Sequence, residues 1–122
     1  AVASGEMYPN HACCSLVVTD KLIKEQPQLV EQIIKTHIKA TDYINAHPDE
    51  AAQIYAKKTK ANITEIEHSV KNWDGKWVSD PNVQIPSTVE YAKVDFEMKY
   101  TKRELTEKDL FDTSFYERVK GA

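Results

Sequence analysis

Apolar residues are spaced in two ways along this chain, and the spacing changes at Thr19-Asp20. Before that point, Ala12 to Val18 is an uncharged, largely apolar run, with Pro9-Asn10 ahead of it and Thr19-Asp20 behind it. A short valine-containing run between turn-forming residues predicts a buried β-strand over residues 13–19. After it, apolar positions recur every three or four residues, the period of a helix with one face against a core. Residues 21–26 predict one or two helical turns. Val30, Ile33, Ile34, Ile38, Thr41 and Ile44 form one stripe of a helix from about Pro27 to Asn45, with Glu31, Gln32, Lys35, Lys39 and Asp42 off it. Pro27 suits the first turn, where an N–H would have no helical partner anyway. His47-Pro48 ends this helix, because the residue before a proline avoids helical geometry. Pro48 then opens the next one, with Asp49 and Glu50 at its positive end and a thin apolar face of Ala51, Ala52, Ile54 and Tyr55.

Asn62-Ile63-Thr64-Glu65 reads as a capping box, with Glu65 reaching back, ahead of a helix that buries Ile66, Val70 and Trp73 and stops at Asp74-Gly75. Residues 76–85 predict an extended connection. Ser87-Thr88-Val89-Glu90 repeats the capping signal for a helix with Val89, Ala92, Phe96 and Tyr100 on one face. Thr106 is expected to cap a turn containing Leu110 and Phe111, and Thr113 a final short helix with Phe115, Tyr116 and Val119. The sum is a mostly α chain, one short strand followed by five or six helices. It is expected to form a single domain over residues 1–122: a lead-in at 1–12, the strand at 13–19 and a helical scaffold at 20–119. A lone strand leaves backbone groups unpaired. A partner strand is therefore expected, from a missing N-terminal lobe or from a second copy of the chain.

Length and charge narrow the function. A chain of 122 residues is long enough for one small core, and 41% hydrophobic residues is the share of a folded protein. The net charge is −3, with 16 basic residues scattered among 19 acidic ones. Nucleic acid as a partner would call for a basic face, so it is excluded. No apolar run approaches the roughly 20 residues that span a bilayer as a helix.

The reactive side chains gather at one place, His11, Cys13 and Cys14. Zinc takes four ligands, with cysteines spaced as in C-x-x-C. Adjacent thiols and one histidine do not supply that set, and His37, His47 and His68 lie on separate helices, so neither metal nor cofactor is expected. Neighbouring cysteines close only a strained ring, which favours two reduced thiols. Strand alternation would put His11 and Cys13 on one face and Cys14 on the other. That is the layout of a base and a nucleophile, but no orienting third residue or oxyanion loop accompanies it. No catalytic residue is assigned and the protein is not expected to be an enzyme. Cys14 is expected to pack as a small buried residue and Cys13 to line a polar wall. His37 is expected at the core boundary. Trp73 belongs with Ile66 and Val70, with Trp77 covering them from the loop; the other use of this pair would be to stack on a ligand. Lys57, Lys58 and Lys60 form a solvated helix end. Asn62-Ile63-Thr64 matches a glycosylation acceptor, but capping already explains it.

Three stretches together carry a family resemblance. Pro9-Asn10-His11-Ala12-Cys13-Cys14, then Leu16-Val17-Val18-Thr19-Asp20-Lys21-Leu22-Ile23, then Gln26-Pro27-Gln28-Leu29-Val30 resembles the return segment of solute-binding proteins of the nitrate, sulfonate and taurine ABC importers. Ala40-Thr41-Asp42-Tyr43-Ile44-Asn45-Ala46-His47-Pro48-Asp49-Glu50-Ala51-Ala52 resembles that family's helix, turn and next helix. Leu105-Thr106-Glu107-Lys108-Asp109-Leu110-Phe111-Asp112 is similar to its C-terminal end. The resemblance implies an α/β fold of two lobes, the type II periplasmic-binding-protein arrangement, with this chain as the C-terminal part of one lobe. It implies a small anionic or zwitterionic solute, delivery to an ABC permease, and a periplasmic or extracytoplasmic location. It nominates Asn10, His11, Cys13 and Cys14 as cleft-wall positions. Ser15 joins them as a hydroxyl that can donate to an anion. The same superfamily holds an enzyme branch that makes the thiamin pyrimidine and carries a longer cysteine cluster, which is the alternative implied here. A helical module that self-associates through the orphan strand is the other.

Overall fold

Pro27 opens the longest element of the protein. In the computed structural model, which describes residues 2–121, helix α3 runs Pro27–Ala46. It follows α1 (Ser4–Met7) and α2 (Asp20–Glu25) and leads into α4 (Pro48–Thr59) and α5 (Ile63–Asn72). A 3-10 turn (Pro81–Gln84) then passes directly into α6 (Ile85–Glu97), followed by α7 (Glu107–Leu110) and α8 (Ser114–Lys120). Two compact units result: one comprises the chain up to Ile34 together with the chain from Asp80 onward, the other is Lys35–Ser79.

Local chemistry explains where most helices start and stop. Thr19 caps α2 by accepting from the Leu22 N–H, and Asn62 caps α5 by accepting from the Thr64 N–H. His47 alone separates α3 from α4, as a residue held before proline requires. Lys60 ends α4 and Lys99 follows the end of α6, both in the left-handed region at φ 58° and 64°. That conformation lets the Tyr100 N–H reach back to the Asp95 carbonyl. Thr106 and Asp109 form a reciprocal capping box at α7. Asp109 also takes both ends of the Arg103 guanidinium, at 2.7 and 2.8 Å. The guanidinium and the Thr106 donors hold the Asp109 carboxyl well below the usual carboxylate range. Thr113 stands at the N-cap of α8 as expected, but Asp112 supplies the acceptor for the Ser114 N–H.

In the unit that contains both chain termini, Val30, Ala92 and Phe115 are the buried apolar side chains. Arg118 lies over the Phe115 ring at 4.5 Å and donates to Glu31 at 3.1 Å, so α3 and α8 are tied by charge beside an apolar contact. Asn82 donates to both Asp80 and Glu117, anchoring the 3-10 turn to α8. In the unit Lys35–Ser79, α4 packs on α5, with Ala52 and Ala56 buried in α4 and Ile66 and Val70 half-buried in α5. Small residues on α4 let the two helices approach. Ile38 and Thr41 of α3 are buried in the same unit, the Thr41 hydroxyl donating to the His37 carbonyl. Gly75 sits where any Cβ would run into the Trp73 indole.

Several expectations need correcting. No strand forms among the described residues, and residues 11–19 are irregular. A strand needs a neighbouring ladder to satisfy its amides; here no ladder forms, and side chains of the 3-10 turn and α6 hold, of its backbone, only the Ala12 N–H and the Cys14 carbonyl. Nor is this segment buried: Cys13 and Cys14 are exposed and Val17 is 84% exposed. Among the described residues the helices outnumber the five or six expected, because α1 forms within the expected lead-in and the turns expected at 21–26 and after Thr106 stand as helices α2 and α7. The connection expected at 76–85 is extended only in part, since Pro81 starts a 3-10 turn and α6 begins at Ile85. That helix ends before Tyr100, which is exposed, and Phe96 is also exposed, so the expected four-residue face is buried only around Ala92. Trp73, expected in the core, is 43% exposed.

Candidate functional site

Residues 8–15 carry every side chain nominated from the sequence, and the structure holds them in a sequence of small locks. Pro9 followed by Asn10 at φ 61° has the residue order of a type II turn, in which the third position needs a positive φ that asparagine tolerates. The His11 N–H closes this turn on the Tyr8 carbonyl at 3.2 Å. His11 Nδ1 lies 2.7 Å from the same carbonyl. A carbonyl cannot donate, so Nδ1 carries a proton in this contact. Asn10 thus shapes the backbone, while His11 presents Nε2 from a half-buried position.

The next lock comes from far along the chain. The Ala12 N–H donates to the Ser87 hydroxyl at 2.8 Å, and Ser87 in turn lies 3.3 Å from the Gln84 carbonyl as its donor. The Gln84 side chain grips two successive residues. Its Nε2 donates to the Cys14 carbonyl at 2.6 Å, and its Oε1 accepts from the Ser15 hydroxyl at 2.5 Å. One primary amide thereby serves as donor and acceptor at once, holding one backbone carbonyl and one side-chain hydroxyl. Ser15 is consequently engaged within the protein rather than free to meet a solute.

Cys13 and Cys14 point outward beside this clasp. Their sulfurs are 3.7 Å apart, with the Cys14 thiol donating to Cys13. Contact with the Cys14 thiol, and the charge Cys14 can carry, raise the Cys13 thiol above its ordinary value. A catalytic cysteine is normally activated by a lowered value in an electropositive setting, and the shift at Cys13 runs the other way. Among the described residues no group of three or more histidine, cysteine or acidic side chains could hold a metal ion.

Two surface hollows lie in the unit Lys35–Ser79. One, of about 560 Å³, is lined by Asp49, Ala52, Glu67, Val70 and Lys71. The other, of about 350 Å³, is lined by His68, Ser69, Val70, Asn72, Trp73 and Trp77. The two indoles meet at 4.7 Å between ring centroids, tilted by 49°. Asn10, His11, Cys13, Cys14 and Ser15 line neither hollow.

Sequence reasoning missed Gln84 and Ser87. A signal for Ser87 existed: Pro86 favours the first turn of a helix, which puts the helix start ahead of Ser87 and releases its hydroxyl from capping. Gln84 carried no comparable mark.

Residues 1–59 match the model of the NMT1-like family. The matched stretch ends at the last residue of α4 and includes all five nominated residues, whereas Gln84 and Ser87 lie outside it. It is consistent with the resemblance to nitrate, sulfonate and taurine-binding proteins over that part of the chain. No curated protein and no solved structure matches the chain.

Proposed function

We propose that the protein is a solute-binding component, or part of one, that delivers a small anionic or zwitterionic solute such as nitrate, a sulfonate or taurine to an ABC permease outside the cytoplasmic membrane. The observation that carries this reading is the NMT1-like match over residues 1–59, which takes in the turn and the His11–Ser15 segment. In this reading His11 and the backbone around Asn10 and Cys13 border the solute, and closure against a further lobe would bring the remaining donors. It is a binding function rather than an enzymatic one. The raised Cys13 thiol supports that choice, because thiol catalysis would want the opposite shift. No helix among the described residues is long and apolar enough to cross a membrane.

Isothermal calorimetry of the full-length protein that carries this chain, against nitrate, taurine and short alkylsulfonates, tests the proposal. Saturable heat with at least one of them is expected; absence of heat from all of them removes this solute class. The exposed thiols keep one rival in view, a relative of the thiamin-pyrimidine enzymes. Cys13→Ser with Cys14→Ser should leave solute binding within a few-fold of the original. Turnover of a pyrimidine precursor that vanishes in the double variant would transfer the assignment to that enzyme class.

A further inference from the structure

We propose that Cys13 and Cys14 form a reversible oxidative modification site, at which a peroxide closes a disulfide between the two adjacent residues, and that the Gln84 clasp opposes this closure. The inference does not depend on the solute-binding reading. Three observations carry it. Both thiols are exposed, so a small oxidant reaches either one. Their sulfurs already lie 3.7 Å apart and must approach to about 2.05 Å to bond. The chain has only these two cysteines, so each is the other's sole intrachain partner.

The reaction balances with the peroxide as the only co-reactant. One sulfur attacks the peroxide, a sulfur–oxygen bond forms, the oxygen–oxygen bond breaks, and the departing oxygen leaves as water. The resulting sulfenic acid is attacked by the neighbouring sulfur. A sulfur–sulfur bond forms, the sulfur–oxygen bond breaks, and a second water leaves. The two sulfurs lose two electrons, the peroxide gains them, and both thiol protons end in water.

The ring that closes contains the Cys13–Cys14 peptide unit and is small, so closing it restricts the backbone torsions flanking that unit. Those torsions aim the Cys14 carbonyl at Gln84 Nε2 and set the Ser15 hydroxyl against Gln84 Oε1. Closing the ring and keeping the clasp therefore compete. A strained, exposed disulfide is also readily reduced, which makes the modification reversible and leaves the clasp as its resting state.

The test treats the intact chain with a small excess of hydrogen peroxide, blocks remaining thiols, digests at lysine and arginine, and weighs the peptide ending at Lys21. A monomeric chain whose peptide has lost two hydrogen atoms, restored by dithiothreitol, is the expected result. Cys13→Ser and Cys14→Ser must each abolish that product. Gln84→Ala should form it several-fold faster than the unmodified protein, and the Ala12 amide should exchange with deuterium faster in the oxidised form. Sulfinic acid or disulfide-linked dimers as the main product would overturn the site. An unchanged rate in Gln84→Ala would overturn the opposition by the clasp.

Discussion

The α4–α5 hairpin and the segment from Tyr8 to Thr19 solve the same problem by opposite means. In the hairpin, backbone amides are satisfied inside each helix, and side chains are left to pack: Ala52 and Ala56 on one side, Ile66 and Val70 on the other. In the segment no regular element forms, and side chains of residues 84 and 87 hold the Ala12 N–H, the Cys14 carbonyl and the Ser15 hydroxyl. The first arrangement is written locally. The second depends on two residues some seventy positions away. Elements that satisfy themselves can be read from their own sequence; elements satisfied by others cannot.

Four substitutions break or sharpen that contrast. The largest effect belongs to apolar packing. Phe115→Ala should cost about 3–5 kcal/mol, because Phe115 is 6% exposed and supports the Arg118 contact; urea denaturation followed by circular dichroism would register it. Ala56→Leu comes next. With Ala56 6% exposed on α4, overpacking there should cost ~1–3 kcal/mol and lower the melting temperature, whereas the same change at the exposed Gln53 should be nearly silent. Gln84→Ala should cost only about 1 kcal/mol globally. It should nevertheless speed deuterium exchange from Ala12 to Ser15 far more than anywhere in α4 or α5, and equal acceleration in both regions would erase the distinction drawn between them.

The smallest effect is a matter of pH. Asp109 has its folded value lowered from an ordinary 3.8. The unfolded chain therefore takes up its proton first as pH falls. The stability this group adds is fully present above 3.8 and is lost as pH drops from there through the lowered folded value. The Asp109 carboxyl resonance should accordingly titrate below the ordinary carboxylate range in an NMR pH series. Arg103→Gln should move it back toward that range, and added salt should weaken the difference because the pair is accessible to solvent.

The helices were legible because their signals are short-range. The stripe from Val30 to Ile44, the break at His47-Pro48, the Asn62 cap and the Thr106 cap all lie within a few residues of what they control. The Leu16 to Val18 run misled for the same reason. Its composition is that of a buried strand, yet burial and pairing are tertiary properties, and Val17 lies open. Trp73 followed the helical spacing of Ile66 and Val70 but sits at the C-cap, where the chain turns away and leaves the ring half-exposed against Trp77. The nominated residues stayed together because they are neighbours in sequence. What organises them, Gln84 and Ser87, was hidden by distance along the chain, and by a serine whose position near a helix start suggested a capping duty it does not perform.

The long helix Pro27–Ala46 carries the border between the two units, which falls between Ile34 and Lys35. A boundary inside a helix differs from one inside a linker, because severing it strips partners from four amides and four carbonyls at once. Recombination that joined residues 1–34 to a foreign continuation at that codon would inherit a frayed spiral, and would also part those residues from the rest of their unit, which resumes at Asp80. Whatever separates the units in space, heredity must pass them on as a single piece.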